Sequence, residues 1–190
     1  MSVAALGLLF ASLAQATTVV PPTFSELVAE AESIVRATVT RIESRRVPAG
    51  DGLTIKTFVE FKVKKRLKGA APDVVTLEFL GGTVGDESLQ IVGMPRFRVG
   101  ETEIVFVTGN GVQFCPVVRL GHGRYRVRHD AANARDYVAR EDETPLTAVA
   151  DVQLPVDTHG IGRMFRAASD ALTPDEFETE IGRELTRRSR

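Results

Sequence analysis

Between Leu53 and Lys68 the chain alternates apolar and charged residues almost without a break. Leu53, Ile55, Val59, Phe61, Val63 and Leu67 fall on one side of an extended backbone. Lys56, Glu60, Lys62, Lys64, Arg66 and Lys68 fall on the other. A period of two fits a strand with one buried and one solvated face; a helix would scatter these residues around its circumference. Thr57 and Lys65 interrupt the apolar row, and a β-bulge near Lys65 is the natural repair. A half-buried strand of this length calls for antiparallel neighbours.

The flanking segments supply them. Val35, Ala37 and Val39 alternate with Arg36, Thr38 and Thr40. Pro48-Ala49-Gly50-Asp51-Gly52 then reads as a hairpin turn, with Asp51-Gly52 as its strongest dipeptide. Val75, Leu77 and Phe79 alternate again. Gly81 to Asp86 reads as loop, Leu89 to Val92 as a short strand, and Gly93-Met94-Pro95 as a turn. Ile104 to Val107 is apolar throughout, as a central strand requires. Gly109-Asn110-Gly111 is a turn, Phe114 to Leu120 and Tyr125 to Val127 read as strands, and a short strand is expected around Tyr137 and Val138.

Helices bracket this run. Thr23 with Glu26 three residues on is a capping box, and Phe24, Leu27, Val28 and Ala31 form one apolar face of a helix ending near Ser33. Ile161, Met164, Phe165 and Ala168 have helical spacing within His159 to Asp170. Thr173-Pro174-Asp175-Glu176 opens a last helix with stripe Phe177, Ile181 and Leu185, and its end at Arg187 to Arg190 is expected to fray. No alternation of strand and helix argues for a parallel α/β sheet. The expected class is mainly β: a small OB-like antiparallel β-barrel with an N-terminal helix and one or two C-terminal helices.

The first residues address the chain. Val3 to Leu13 is almost wholly apolar, and Ala14-Gln15-Ala16 is an A-x-A cleavage pattern. The run is shorter than the ~20 residues that span a bilayer. It reads as a signal peptide over residues 1–16, with a basic n-region expected upstream of Met1 and a mature N-terminus at Thr17. Residues 17–130 then form the β domain, and 131–190 a C-terminal extension packed on it. The expected location is periplasmic or extracellular, with no membrane span after cleavage. A formal net charge of −1 argues against a dedicated nucleic-acid binder. The single cysteine, Cys115, has no disulfide partner in the chain and reads as a buried thiol, with a reactive or intermolecular role as the alternative.

Three segments carry a resemblance. They are Ser33 to Val39 after the first helix, Arg66-Leu67-Lys68-Gly69 closing the long strand, and Arg98-Val99-Gly100-Glu101 before the apolar strand. Together they resemble a group of exported bacterial proteins and, more loosely, netrin-like domains, which include the tissue inhibitors of metalloproteinases. The resemblance covers roughly Thr23 to Val127 and implies an OB-type barrel. In those inhibitors an N-terminal cysteine chelates the target's zinc and is pinned by disulfides. Here the corresponding position is Thr17, without cysteine or disulfides, so nothing visible preorganises such a wedge.

A search for chemistry yields surfaces rather than catalysts. His122, His129 and His159 match no standard ligand spacing; a metal site from His122, His129 and Asp130 is the catalytic alternative, that of a small metal-dependent hydrolase. No G-x-S-x-G elbow or phosphate loop occurs. Asp86-Glu87 and Glu141-Asp142-Glu143 read as solvated acids. Two binding surfaces are expected. One is the loop Met94, Pro95, Arg96 and Phe97. The other is the basic strand face of Lys56, Lys62, Lys64, Arg66 and Lys68, extended by Arg124, Arg126 and Arg128, suited to an envelope polyanion. The leading expectation is an exported, cofactor-free, non-enzymatic module binding another exported protein, a protease among the candidates.

Overall fold

The computed structural model describes residues 20–155 and 166–189. The segment expected to be a signal peptide, Thr17 and residues 156–165, with His159, lie outside them. Helix α1 spans Phe24–Glu30, capped by Thr23 and Glu26 as its sequence requires. Strands β1 (Ser33–Ala49) and β2 (Gly52–Lys68) form a long hairpin, followed by β3 (Val74–Leu80). A small hairpin of β4 (Gly82–Val84) and β5 (Glu87–Leu89) comes next, then β6 (Thr102–Val107), β7 (Arg124–Asp130) and β8 (Arg135–Ala139). Helix α2, Pro174–Arg188, carries the expected Thr173–Glu176 capping box.

The main sheet is antiparallel, in the order β3-β2-β1-β6-β7-β8. It is open and does not close into a barrel, which corrects the expectation of an OB-like, netrin-like β-barrel. Closure would need β3 to meet β8, and both outer edges are already occupied. Asn110 donates to the Thr76 carbonyl and accepts from the Glu78 N–H, and Leu80 N–H donates to the Phe114 carbonyl. On the far side Val138 N–H donates to Leu172 and its carbonyl accepts from Leu146. Both edges are thus shielded from further pairing.

Each face of the sheet has its own core. Leu27, Ile34, Phe106, Tyr125, Val138, Phe177 and Ile181 pack between the sheet and the two helices. Tyr125 and Phe177 rings lie 4.9 Å apart. Val35, Ala37, Val59, Phe61, Leu77, Phe79, Val105 and Val117 fill the other face. The apolar strand β6 serves both, with Ile104 and Phe106 on one side and Val105 and Val107 on the other. Residues before and after 130 contribute to the first core and to the six-stranded sheet.

Several local expectations are corrected. Helix α1 stops at Glu30, because Ala31 is already extended and the Lys68 ammonium takes the Val28, Ala29 and Ala31 carbonyls. The hairpin turns on Gly50-Asp51, with Gly50 at φ 56° supplying the left-handed first position. The short strand expected over Leu89 to Val92 is replaced by the β4–β5 hairpin upstream. Phe114 to Leu120 is no strand: Pro116 has no N–H, and Arg119 and Leu120 adopt positive φ before a 3₁₀ turn at Leu120–Gly123. Only Val117 forms an isolated bridge, to Val107. Ala168–Asp170 is a 3₁₀ turn, and α2 continues to Arg188 where fraying was expected. The bulge region near Lys65 does exist: the β1–β2 register shifts between Arg36 and Ala37, which face Lys65 and Val63. Among the described residues no helix is long and apolar enough to cross a membrane.

Candidate functional site

Strand β7 reads Arg-Tyr-Arg-Val-Arg, so its arginines share one face and Tyr125 enters the helical core on the other. The arginine face continues the second core sideways, but with guanidinium groups instead of alkyl side chains. Glu101 and Glu103, one alternation apart, enter from the start of β6, and the turn after β8 brings in Glu141 and Glu143. Glu143 sits at φ 65° in a tight turn whose N–H donates to the Arg140 carbonyl. A non-glycine residue held there costs free energy, which the ion pairs of its carboxylate offset.

The network is layered by depth. Arg124 and Glu103 side chains are both 0% exposed and form a two-pronged pair, with Nε donating to Oε2 at 2.8 Å. Arg124 also donates to Glu141 at 2.9 Å and to the Arg96 carbonyl at 2.7 Å. Its guanidinium lies 4.1 Å from the centre of the Phe97 ring. Nearer the surface, Arg126 pairs with Glu141 and Glu143, and Arg128 with Glu143 and Glu101. Arg126 Nε is buried without a hydrogen-bond partner.

Burial pushes the Glu103 carboxyl above its ordinary range, against the pull of Arg124, and it pushes Glu141 the same way. Burial would also raise Glu143, but Arg128 and Arg126 outweigh it and hold that carboxyl below the usual range. The hydrogen bonds that Arg128 donates to Glu143 are the main reason its guanidinium stays more firmly protonated than usual.

Over this network lies an open cleft of about 440 Å³. Its walls are the Met94–Glu101 segment, Arg126 and Arg128 of β7, and Glu141 with Glu143. The volume falls in the range of small-ligand or side-chain pockets. Charge dominates the lining, while Met94 and Phe97 supply an apolar strip that also packs on the second core. The Phe97 ring meets Phe79 at 5.0 Å and Phe61 at 5.5 Å.

The residues expected to bind from sequence are distributed as follows. Met94, Arg96 and Phe97 line the cleft, and Pro95 is buried beside them. The basic strand face is not one patch. Lys56 pairs with Glu78, Arg66 with Asp73, and Lys68 caps α1. Lys64 donates to Thr102, and Lys62 is exposed. The register shifts split these residues between the two faces: Arg66 lies opposite Val35 of the second core, and Lys68 opposite Ile34 of the first. Glu141 and Glu143, expected to be solvated, instead wall the cleft, and Asp142 between them is a buried side chain. The signal for them was in the sequence: Glu-x-Glu at 101–103 and at 141–143 matches Arg-x-Arg-x-Arg at 124–128.

Cys115, His122 and His129 do not line the cleft, although His122 shares a small neighbouring pocket with Arg124 and Glu141. Cys115 is buried in the second core, and burial pushes its thiol up to about 11. His122 is buried at the 3₁₀ turn, where burial holds its ring below the ordinary value. His129 bonds Asp136 at 2.9 Å. Most of strand β7, roughly 16 Å at ~3.3 Å per residue, separates it from His122, too far for one metal ion. No group of three or more His, Cys, Asp or Glu residues able to hold a metal ion occurs among the described residues. No protein-family model matches the chain, and no curated protein matches it significantly.

Proposed function

We propose that this chain is an exported, non-enzymatic binding module that holds a segment of another exported protein in the cleft between Met94–Glu101 and β7. The supporting observation is the charge network itself. Three arginines and four glutamates are fixed in place before any ligand arrives, so little side-chain entropy is lost on binding. Arg96 and Arg98 stand exposed at the rim, beside the apolar strip of Met94 and Phe97. That combination suits a partner side chain with an acidic end and an apolar stem. Neither the candidate nucleophile Cys115 nor the buried His122 lines the cleft, which favours binding over catalysis. A secreted protease is the partner the netrin-like resemblance favours.

Site-specific photo-cross-linking tests this reading. A cross-linker at Arg98, in chain recovered from the exported fraction, is expected to capture one exported protein. Capture should fall about tenfold in Arg96→Glu, whose charge faces the partner with the wrong sign. Equal capture from a control position at Val112, or turnover of a substrate by the mature chain, would overturn it.

A further inference from the structure

Strand β1 is paired on both sides only at its beginning. β6 covers Ser33 to Thr38, and Gly100 and Glu101 bond Val39. From Arg41 onward β1 is bonded to β2 alone. The outer N–H and C=O groups of Arg41 to Val47 have no backbone partner among the described residues. This edge is roughly 23 Å long at ~3.3 Å per residue. It is bounded by the Gly100 turn at one end and by Pro48, which has no N–H, at the other. The outer edges of β3 and β8 are covered by loops, whereas this edge is open over its whole length among the described residues.

The edge is also held ready. The β4–β5 hairpin lies against one face of the arm, where Gly82 approaches Ser44 and Thr57 closely enough to exclude a Cβ. Ser44 and Thr57 hydroxyls bond at 2.8 Å, and Arg46 pairs with Glu87 at 3.0 Å. On the opposite face Arg41 pairs with Glu43, and the Arg45 guanidinium lies 3.9 Å from the Phe58 ring centre.

The charges along the edge are self-complementary in one long antiparallel register. With Ser44 at a two-fold axis, Glu43 of each copy lies opposite Arg45 of the other, and Arg41 lies opposite Val47. Centring on Arg45 would set Arg45 against Arg45, and centring on Glu43 would set Glu43 against Glu43 and Arg41 against Arg45. Directly opposed like charges destabilise a strand pair, and opposite charges stabilise it. We propose that two copies of this chain pair antiparallel along Arg41 to Val47, centred on Ser44, extending the sheet from one copy into the next. The surface is separate from the cleft, so either reading stands without the other.

Sedimentation velocity over a concentration series tests it. The wild-type chain is expected to dimerise. Glu43→Arg and Arg45→Glu should each weaken the dimer by about tenfold or more, since each sets like charges opposite each other. The double variant E43R/R45E restores the opposite-charge pairs and should recover the dimer. Both residues are exposed, and circular dichroism verifies that each variant is folded. A second readout fixes the register: a mixture of Glu43→Cys and Arg45→Cys chains should form a disulfide-linked pair on mild oxidation, and neither chain alone should do so. A wild-type monomer at every concentration, a dimer indifferent to the charge variants, or cross-linking by Glu43→Cys alone would overturn the proposal.

Discussion

Arg124 is the residue whose neighbours explain the most. It is buried because β7 must alternate across the sheet: placing Tyr125 in the helical core forces residues 124 and 126 to the opposite face. A lone guanidinium there would be prohibitive, and Glu103, Glu141 and the Arg96 carbonyl compensate it. Removing one side of such a pair strands the other. Arg124→Met should therefore cost about 3–5 kcal/mol of folding stability, measured by urea unfolding. The double variant R124M/E103L leaves no buried charge at that pair and should recover most of the loss, because apolar residues of similar volume replace buried pairs well. An R124M protein of unchanged stability would mean that the pair is solvated.

At the scale of elements, both helices begin with the same device. Thr23 with Glu26, and Thr173 with Glu176, satisfy backbone N–H groups reciprocally. The backbone N–H bonds from Thr23 and Thr173 hold the two carboxyls below the ordinary range. A depressed folded value means stability that is present above the unfolded carboxylate value and lost as pH falls through the folded one. Comparing the wild type with E26Q/E176Q in thermal melts should show the wild type more stable at neutral pH. The gap should close as the pH is lowered through the depressed values; a gap that widens in acid would contradict the assignment. Sequence spacing was enough to find these caps, since all their partners lie within four residues. It was also enough to place the irregularity near Lys65. Phe114 to Leu120 misled for the opposite reason. Its apolar pattern looks like a strand, but Pro116 and the left-handed Arg119 and Leu120 keep it out of the ladder.

Across the whole molecule, Phe97 joins the second core to the cleft. Its ring rests on Phe61 and Phe79 and carries the Arg124 guanidinium. Phe97→Ala should cost about 2–4 kcal/mol in urea unfolding, and it should also loosen the Met94–Glu101 wall, which limited proteolysis would detect. Loss of stability with an unchanged digestion pattern would separate the core from the cleft.

Sequence by itself determined what depends on neighbours along the chain: the capped ends of both helices, the alternating strands, the β1–β2 hairpin and the mainly antiparallel class. Each rests on periodicity or on hydrogen bonds within a few residues. Tertiary structure decided what depends on distant segments meeting. It left the sheet open because the Asn110 loop and Leu146 with Leu172 took its edges. It divided the basic row of β2 between two faces through register shifts. It turned Glu141 and Glu143 from expected surface acids into the wall of a cleft, because only the folded chain sets them against Arg124, Arg126 and Arg128. A carboxylate's role is set by the charge it faces and the water it loses, and neither is a property of its place in the sequence.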